Sequence, residues 1–177
     1  RVVSVQPGLM PEVAWNYGIT FTHKHRILKK NAVWNLDFFR TDFLNQVVVD
    51  LDQHAHRISF YNLEGVSYSN SFQAEFSWEL SHGLDVRAAY KWQDAKTSYH
   101  GKLLQRPFVV GHRVLLNLAW ATKYDKWKFD LTPKWFARSR IPSTEGNPHQ
   151  YHVHGWSDPY VQVNAQVTRA FKRWEVY

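Results

Sequence analysis

Between Ser71 and Trp92 the chain alternates apolar and polar residues. Phe72, Ala74, Phe76, Trp78 and Leu80 form one row and Ser71, Gln73, Glu75, Ser77 and Glu79 the other, the signature of a β-strand with two unlike faces. After a turn at Ser81, His82 and Gly83 the alternation resumes. Leu84, Val86, Ala88, Tyr90 and Trp92 now oppose Asp85, Arg87, Lys91 and Gln93, so the stretch predicts a tight antiparallel hairpin. Charge pairing predicts its register: Glu79 opposite Arg87 and Glu75 opposite Lys91, with Phe76 against Tyr90.

The same period recurs along the chain. Val13, Trp15, Tyr17, Ile19 and Phe21 alternate with Ala14, Asn16, Gly18, Thr20 and Thr22. Trp34, Leu36 and Phe38 alternate with Asn35 and Asp37 until Phe38-Phe39 breaks the phase, which predicts a bulge. That strand resumes over 43–49, and 58–63 leads toward the central hairpin. Val114, Leu116, Leu118 and Trp120 make another row. Trp127, Phe129, Leu131 and Trp135 face away from Lys128, Asp130, Thr132 and Lys134, with Pro133 expected at an edge or bulge. Val161, Val163, Ala165 and Val167 alternate with Gln162, Asn164, Gln166 and Thr168. Residues 1–11, with Pro7-Gly8 and Pro11, read as a loop.

Connections are short near residues 28, 82, 124 and 171 and long over 50–57, 94–112 and 138–158. About eight strands joined alternately by short turns and long loops is the layout of an outer-membrane barrel. Ring placement fits it. Phe21, Trp34, Trp78, Trp120, Trp127 and Trp174 fall beside the short turns, and Trp15, Trp92, Trp135 and Tyr160 at the opposite strand ends. Two aromatic belts with aliphatic residues between them match the headgroup levels of a bilayer. A soluble β-sandwich or barrel would use the same alternation, without a reason to sort rings by height.

Composition agrees with a membrane barrel. The chain has 177 residues, 44% of them hydrophobic and 16% aromatic, and no Cys, so a disulfide scaffold and a zinc ribbon are excluded. A mean hydropathy of -0.49 looks soluble, but a barrel hides from that index because every second residue is polar. No apolar run is long enough for a membrane helix. The net charge of +7 points to acidic partners.

Several segments carry a family resemblance: PEVAWNYGITF from Pro11, FRTDFLNQVVV from Phe39, FYNLEGVSYSNSFQAEF from Phe60, LLNLAWATKYDKWKFDL from Leu115 and VQVNAQVT from Val161. Together they resemble the C-terminal β-barrel of TonB-dependent outer-membrane receptors of the Bacteroidetes type, over nearly the whole chain. That resemblance implies an all-β, antiparallel transmembrane β-barrel of twenty-two strands, plugged by an N-terminal domain. It also implies import of a scarce ligand with energy delivered by TonB to a Ton box. The cargo stays open among metal chelates, haem, cobalamin and oligosaccharides. Residues 1–177 are expected to be one partial barrel, an internal slice lacking plug, Ton box, earlier strands and final strands. The implied partners are TonB, the receptor's own plug, outer-membrane lipid and lipopolysaccharide, and an extracellular ligand or surface lipoprotein. A structural or adhesive barrel, or a soluble β-sandwich binding module, is the alternative.

In such a barrel the apolar rows face lipid. Gln73, Glu75, Arg87, Lys91, Lys128, Asp130, Lys134, Gln162, Asn164 and Gln166 then line the lumen, pairing with each other or with the plug. Ligand selection belongs in the long loops. Histidine concentrates there: His54 and His56 on one loop, His149, His152 and His154 on another. A His-x-His pair in extended backbone sends both rings to one side, an arrangement suited to zinc, copper, nickel or a haem. Exposed loop histidines more often ligate nothing, and neither a firm metal site nor a cofactor is assigned. No G-x-S-x-G or H-E-x-x-H context supports an enzyme. The aromatics fall opposite the charges, whereas nucleic-acid stacking platforms need both on one surface.

Overall fold

The computed structural model describes residues 2–53 and 56–177. In chain order its strands are β1 (Val2–Val5), β2 (Val13–Ile27), β3 (Lys30–Asn45), β4 (Val47–Asp50), β5 (Arg57–Asn62) and β6 (Ser67–Ser81), then β7 (Leu84–Tyr99), β8 (Lys102–Gln105), β9 (His112–Ala121), β10 (Trp127–Phe136), β11 (Tyr160–Ala170) and β12 (Glu175–Val176). Among the described residues they form two sheets. The larger is antiparallel and nine-stranded, in the order β12-β11-β10-β9-β7-β6-β3-β2 with β8 beside β7. The smaller, β1-β5-β4, sits at the long-loop end, where β3 passes into β4.

The alternating rows form as the sequence predicts. Phe76, Trp78 and Leu118 stay partly exposed and Val163 is exposed, so none of them is packed into a core. Ile19 is 71% exposed and Val161 62% exposed on the apolar face. Such a continuous oily surface needs a non-aqueous neighbour. On β7 the apolar row from Leu84 to Trp92 runs about 26 Å along the strand at the usual rise per residue, or about 20 Å of height at the usual strand tilt, most of the apolar band of an outer-membrane barrel.

Above that band the faces exchange character. The level of Phe38, Phe72 and Trp92 is followed by Arg40 opposite Asn70 and Asn70 opposite Asp94. Arg40 pairs with Asp42 at 2.6 Å, and Tyr17 donates to Asp42 at 2.8 Å. On the other face of β7, Ala95 and Thr97 are buried. The outward row is therefore apolar only as far as Trp92, and hydrophilic beyond it.

The structure corrects several expectations. The β6–β7 register is displaced by two residues, with Ser77 opposite Arg87, Gln73 opposite Lys91 and Glu79 opposite Asp85. Turn geometry outweighs charge here, because a cross-strand ion pair contributes only about 0.2–1 kcal/mol and the turn sets the register. Gly83 adopts φ +75, and a Cβ there would strike the Ala121 carbonyl. Glu79 turns instead to Lys30 at 2.9 Å, and Arg87 reaches Glu75 diagonally at 3.2 Å.

Phe38-Phe39 makes no bulge: β2 and β3 stay in register there, with the Phe39 ring lying over Gly18. Pro133 sits at neither an edge nor a bulge. β10 pairs with β9 on one side and β11 on the other, and the β9 register is the same before and after Pro133. Residues 2–5 are a strand rather than loop, paired in parallel with β5. Much of 94–112 is also strand, since β7 runs to Tyr99 and folds back as β8.

Candidate functional site

Two regions carry the polar chemistry: the hydrophilic face of the large sheet and the cap built by the long loops. On the sheet face, short polar side chains bond across neighbouring strands. Asn16 donates to Thr41 at 3.1 Å, Thr20 to Asp37 at 2.8 Å and Thr22 to Asn35 at 3.0 Å. Asn117 bridges to Asp130 at 2.8 Å and to Thr132 at 2.7 Å. Lys128 pairs with Glu175 at 3.0 Å. These contacts make a polar wall that satisfies much of its own hydrogen bonding.

The wall has one unbalanced stretch. Gln73, Glu75, Arg87, Lys91, Arg113 and Lys134 line an open trough of about 480 Å³. Lys91 stands directly opposite Arg113 on neighbouring strands, an arrangement that costs stability because like charges face each other. Among the described residues, no carboxylate lies within ion-pair distance of Lys91, Arg113 or Lys134. Arg113 Nε is buried with no partner among the described residues. The trough therefore carries unbalanced positive charge.

The cap is the best-packed part of the molecule. Asp50, only 1% exposed, accepts from the Tyr61 hydroxyl at 2.9 Å, from Gln53 at 3.2 Å and from the backbone of Asp52 at 2.8 Å. His100 Nε2 lies 3.2 Å from the same carboxylate. Burial, reinforced by the bond to Asp50, pushes the Tyr61 phenol above the usual tyrosine range. Burial likewise raises Tyr99, against the opposing pull of Arg140. Ser67 donates to Gln46 at 2.7 Å and meets Thr97 at 2.9 Å, closing the base of the cap.

Arg140 ties the loops together. Its guanidinium grips Asp52 with two bonds of 3.1 and 2.8 Å, reaches the Gln105 carbonyl through Nε and lies 5.5 Å from the Tyr99 ring centre. Its own carbonyl accepts from Phe108 N–H at 2.8 Å. One side chain thus joins all three long connections. The sequence marks none of this: Arg140, Asp52 and His100 look like ordinary loop residues until the chain folds back on itself.

The loop histidines divide. His54 lies outside the described residues. His56 is exposed in a turn, where its carbonyl accepts from Val2 N–H at 2.7 Å. His149 and His152 come together as stacked rings with centroids 4.7 Å apart, and His152 Nε2 donates to the Asn147 carbonyl at 2.8 Å. His154 is exposed two residues further on. Among the described residues, no three His, Cys, Asp or Glu side chains gather in a metal-binding arrangement.

No curated protein and no solved structure matches the chain. The family described as TonB dependent receptor-like, beta-barrel matches residues 2–177. It is a family of transport receptors of the bacterial outer membrane. An antiparallel sheet with one apolar and one polar row on each strand, and a family match over residues 2–177, lead to one conclusion: this chain belongs to the TonB-dependent receptor-like β-barrel family.

Proposed function

We propose that the chain forms part of the wall of an outer-membrane receptor that imports a scarce ligand by TonB-driven active transport. The observation that carries this reading is the pairing of an exposed apolar surface with a polar wall whose charge is unbalanced at Lys91, Arg113 and Lys134. Further strands complete the barrel beyond β2 and β12, whose outer edges are unpaired among the described residues. A plug fills its lumen, and TonB acts through a Ton box on that receptor. Residues 1–177 then constitute one partial barrel domain.

The short turns face the periplasm and the cap faces outward. In that orientation the ligand first meets the cap, where the Arg140 clasp holds the loops and His149, His152 and His154 lie exposed. His54 and His56 stay with the loop candidates on sequence grounds. The trough further down favours anionic cargo or acidic plug residues, because a cationic wall concentrates anions. Metal chelates and haem carry such groups.

Growth on a single limiting nutrient tests the proposal. Cells lacking the receptor should fail to accumulate a radiolabelled ligand that wild-type cells concentrate, and dissipating the proton gradient should abolish the accumulation. Undiminished uptake in TonB-deficient cells would contradict it.

A further inference from the structure

At the short-turn end the outward face carries a cation with no protein acceptor. Arg169 is exposed and pairs across the ladder with Trp127. Its guanidinium carbon lies 4.8 Å from the Trp127 ring centre and 5.0 Å from that of Phe171. The rings continue on both sides: Trp127 lies 6.3 Å from Phe129, Phe129 lies 5.2 Å from Trp120, and Phe171 stacks on Trp174 at 3.8 Å. Among the described residues, no carboxylate pairs with Arg169 and no oxygen accepts from its side chain.

Neighbouring turns add charge of the same sign. Ala170 N–H donates to the Lys126 carbonyl at 2.9 Å, which holds turn 122–126 against turn 171–174. The two turns carry Lys123, Lys126, Lys172 and Arg173 against Asp125 as their only carboxylate, and Glu175, just past the second turn, is taken by Lys128 at 3.0 Å. A guanidinium braced by rings keeps its donors fixed and in one plane, the geometry that suits a phosphate group. Its height is set by the aromatic belt, which lies at the lipid headgroups.

We propose that Arg169 binds the phosphate of an anionic phospholipid in the inner leaflet, with Trp127 and Phe171 holding the guanidinium flat and the two turns supplying attractive potential. The proposal rests on the membrane reading above, with the short turns on the periplasmic side. Attraction of this kind is worth enough per charge for one substitution to register.

The test uses the intact receptor in nonionic detergent, stripped of lipid, titrated with phosphatidylglycerol and read by native mass spectrometry. Arg169→Gln should weaken the tightest-bound phosphatidylglycerol roughly fivefold, Arg169→Lys should restore part of the loss, and Trp127→Leu should weaken binding with the charge intact. Phosphatidylcholine should bind more weakly than phosphatidylglycerol, and millimolar inorganic phosphate should not displace the lipid. Equal affinity in Arg169→Gln, equal binding of the two lipids, or displacement by inorganic phosphate would each overturn the site. A receptor soluble without detergent would remove the membrane reading instead, so the two failures are distinct. Unchanged heat-modifiable mobility on gels confirms that the variants fold.

Discussion

Arg140 and Asp52, 88 residues apart, form a two-pronged ion pair at 3.1 and 2.8 Å. Both side chains are largely buried, so removing one partner strands the other away from water, which costs more than losing a surface pair. Arg140→Ala should destabilise the cap by about 2–3 kcal/mol while leaving the strands below it intact. Hydrogen exchange checks this: faster exchange confined to residues 46–62, 97–108 and 139–157 is the expected result.

Gly83 predicts a second effect. Its φ of +75 disfavours any side chain, and an added Cβ would meet the Ala121 carbonyl, whose own N–H donates back to Gly83 at 2.6 Å. Gly83→Ala should cost at least about 1–2 kcal/mol, seen as a lower urea midpoint for barrel unfolding.

Tyr61 sets a pH dependence for the cap. Burial first, then the bond to Asp50, raises its pKa in the folded state. The unfolded phenol loses its proton near pH 10, while the folded one still holds it. The stabilisation from Tyr61 is thus complete below about pH 10 and declines as the pH rises toward the folded value. Tyrosinate absorbance should show a fraction of phenols resisting titration until the cap opens, a fraction reduced in Tyr61→Phe.

The wall makes a fourth prediction. Lys91→Glu would place a carboxylate directly opposite Arg113, turning a repulsive pair into an attractive one and stabilising the barrel by roughly 0.2–1 kcal/mol. Ligand accumulation should fall in the same variant, because the trough loses positive potential. Chemical unfolding and uptake, measured side by side, check the opposite signs.

Much of this architecture is legible in the sequence, and the failures have physical causes. Within the membrane band one row must be apolar, so the strands around Trp78, Leu118 and Val163 announce themselves. Beyond Trp92 the rule inverts. Asp94 and Lys96 point outward while Ala95 and Thr97 are buried, so alternation no longer separates oil from water and the end of β7 reads as loop. Charge pairing misplaces the β6–β7 register because the turn at Gly83 decides it, leaving Glu79 to find Lys30, a residue distant in sequence. β1 escapes notice because its partner β5 lies beyond three other strands in the chain. The cap stays hidden for the same reason: Arg140 acquires its role only when three loops meet.

Accessibility along β11 distinguishes a membrane wall from a soluble sheet. The chain contains no Cys, so a spin label placed in turn at each position from Val161 to Thr168 of the reconstituted receptor can be compared for collisions with oxygen dissolved in lipid and with a water-soluble nickel chelate. Strict alternation is expected, with oxygen reaching Val161, Val163, Ala165 and Val167 and the chelate reaching Gln162, Asn164 and Gln166. Equal exposure of both rows to the chelate, or protection of the valine row from oxygen, would contradict a membrane-spanning wall.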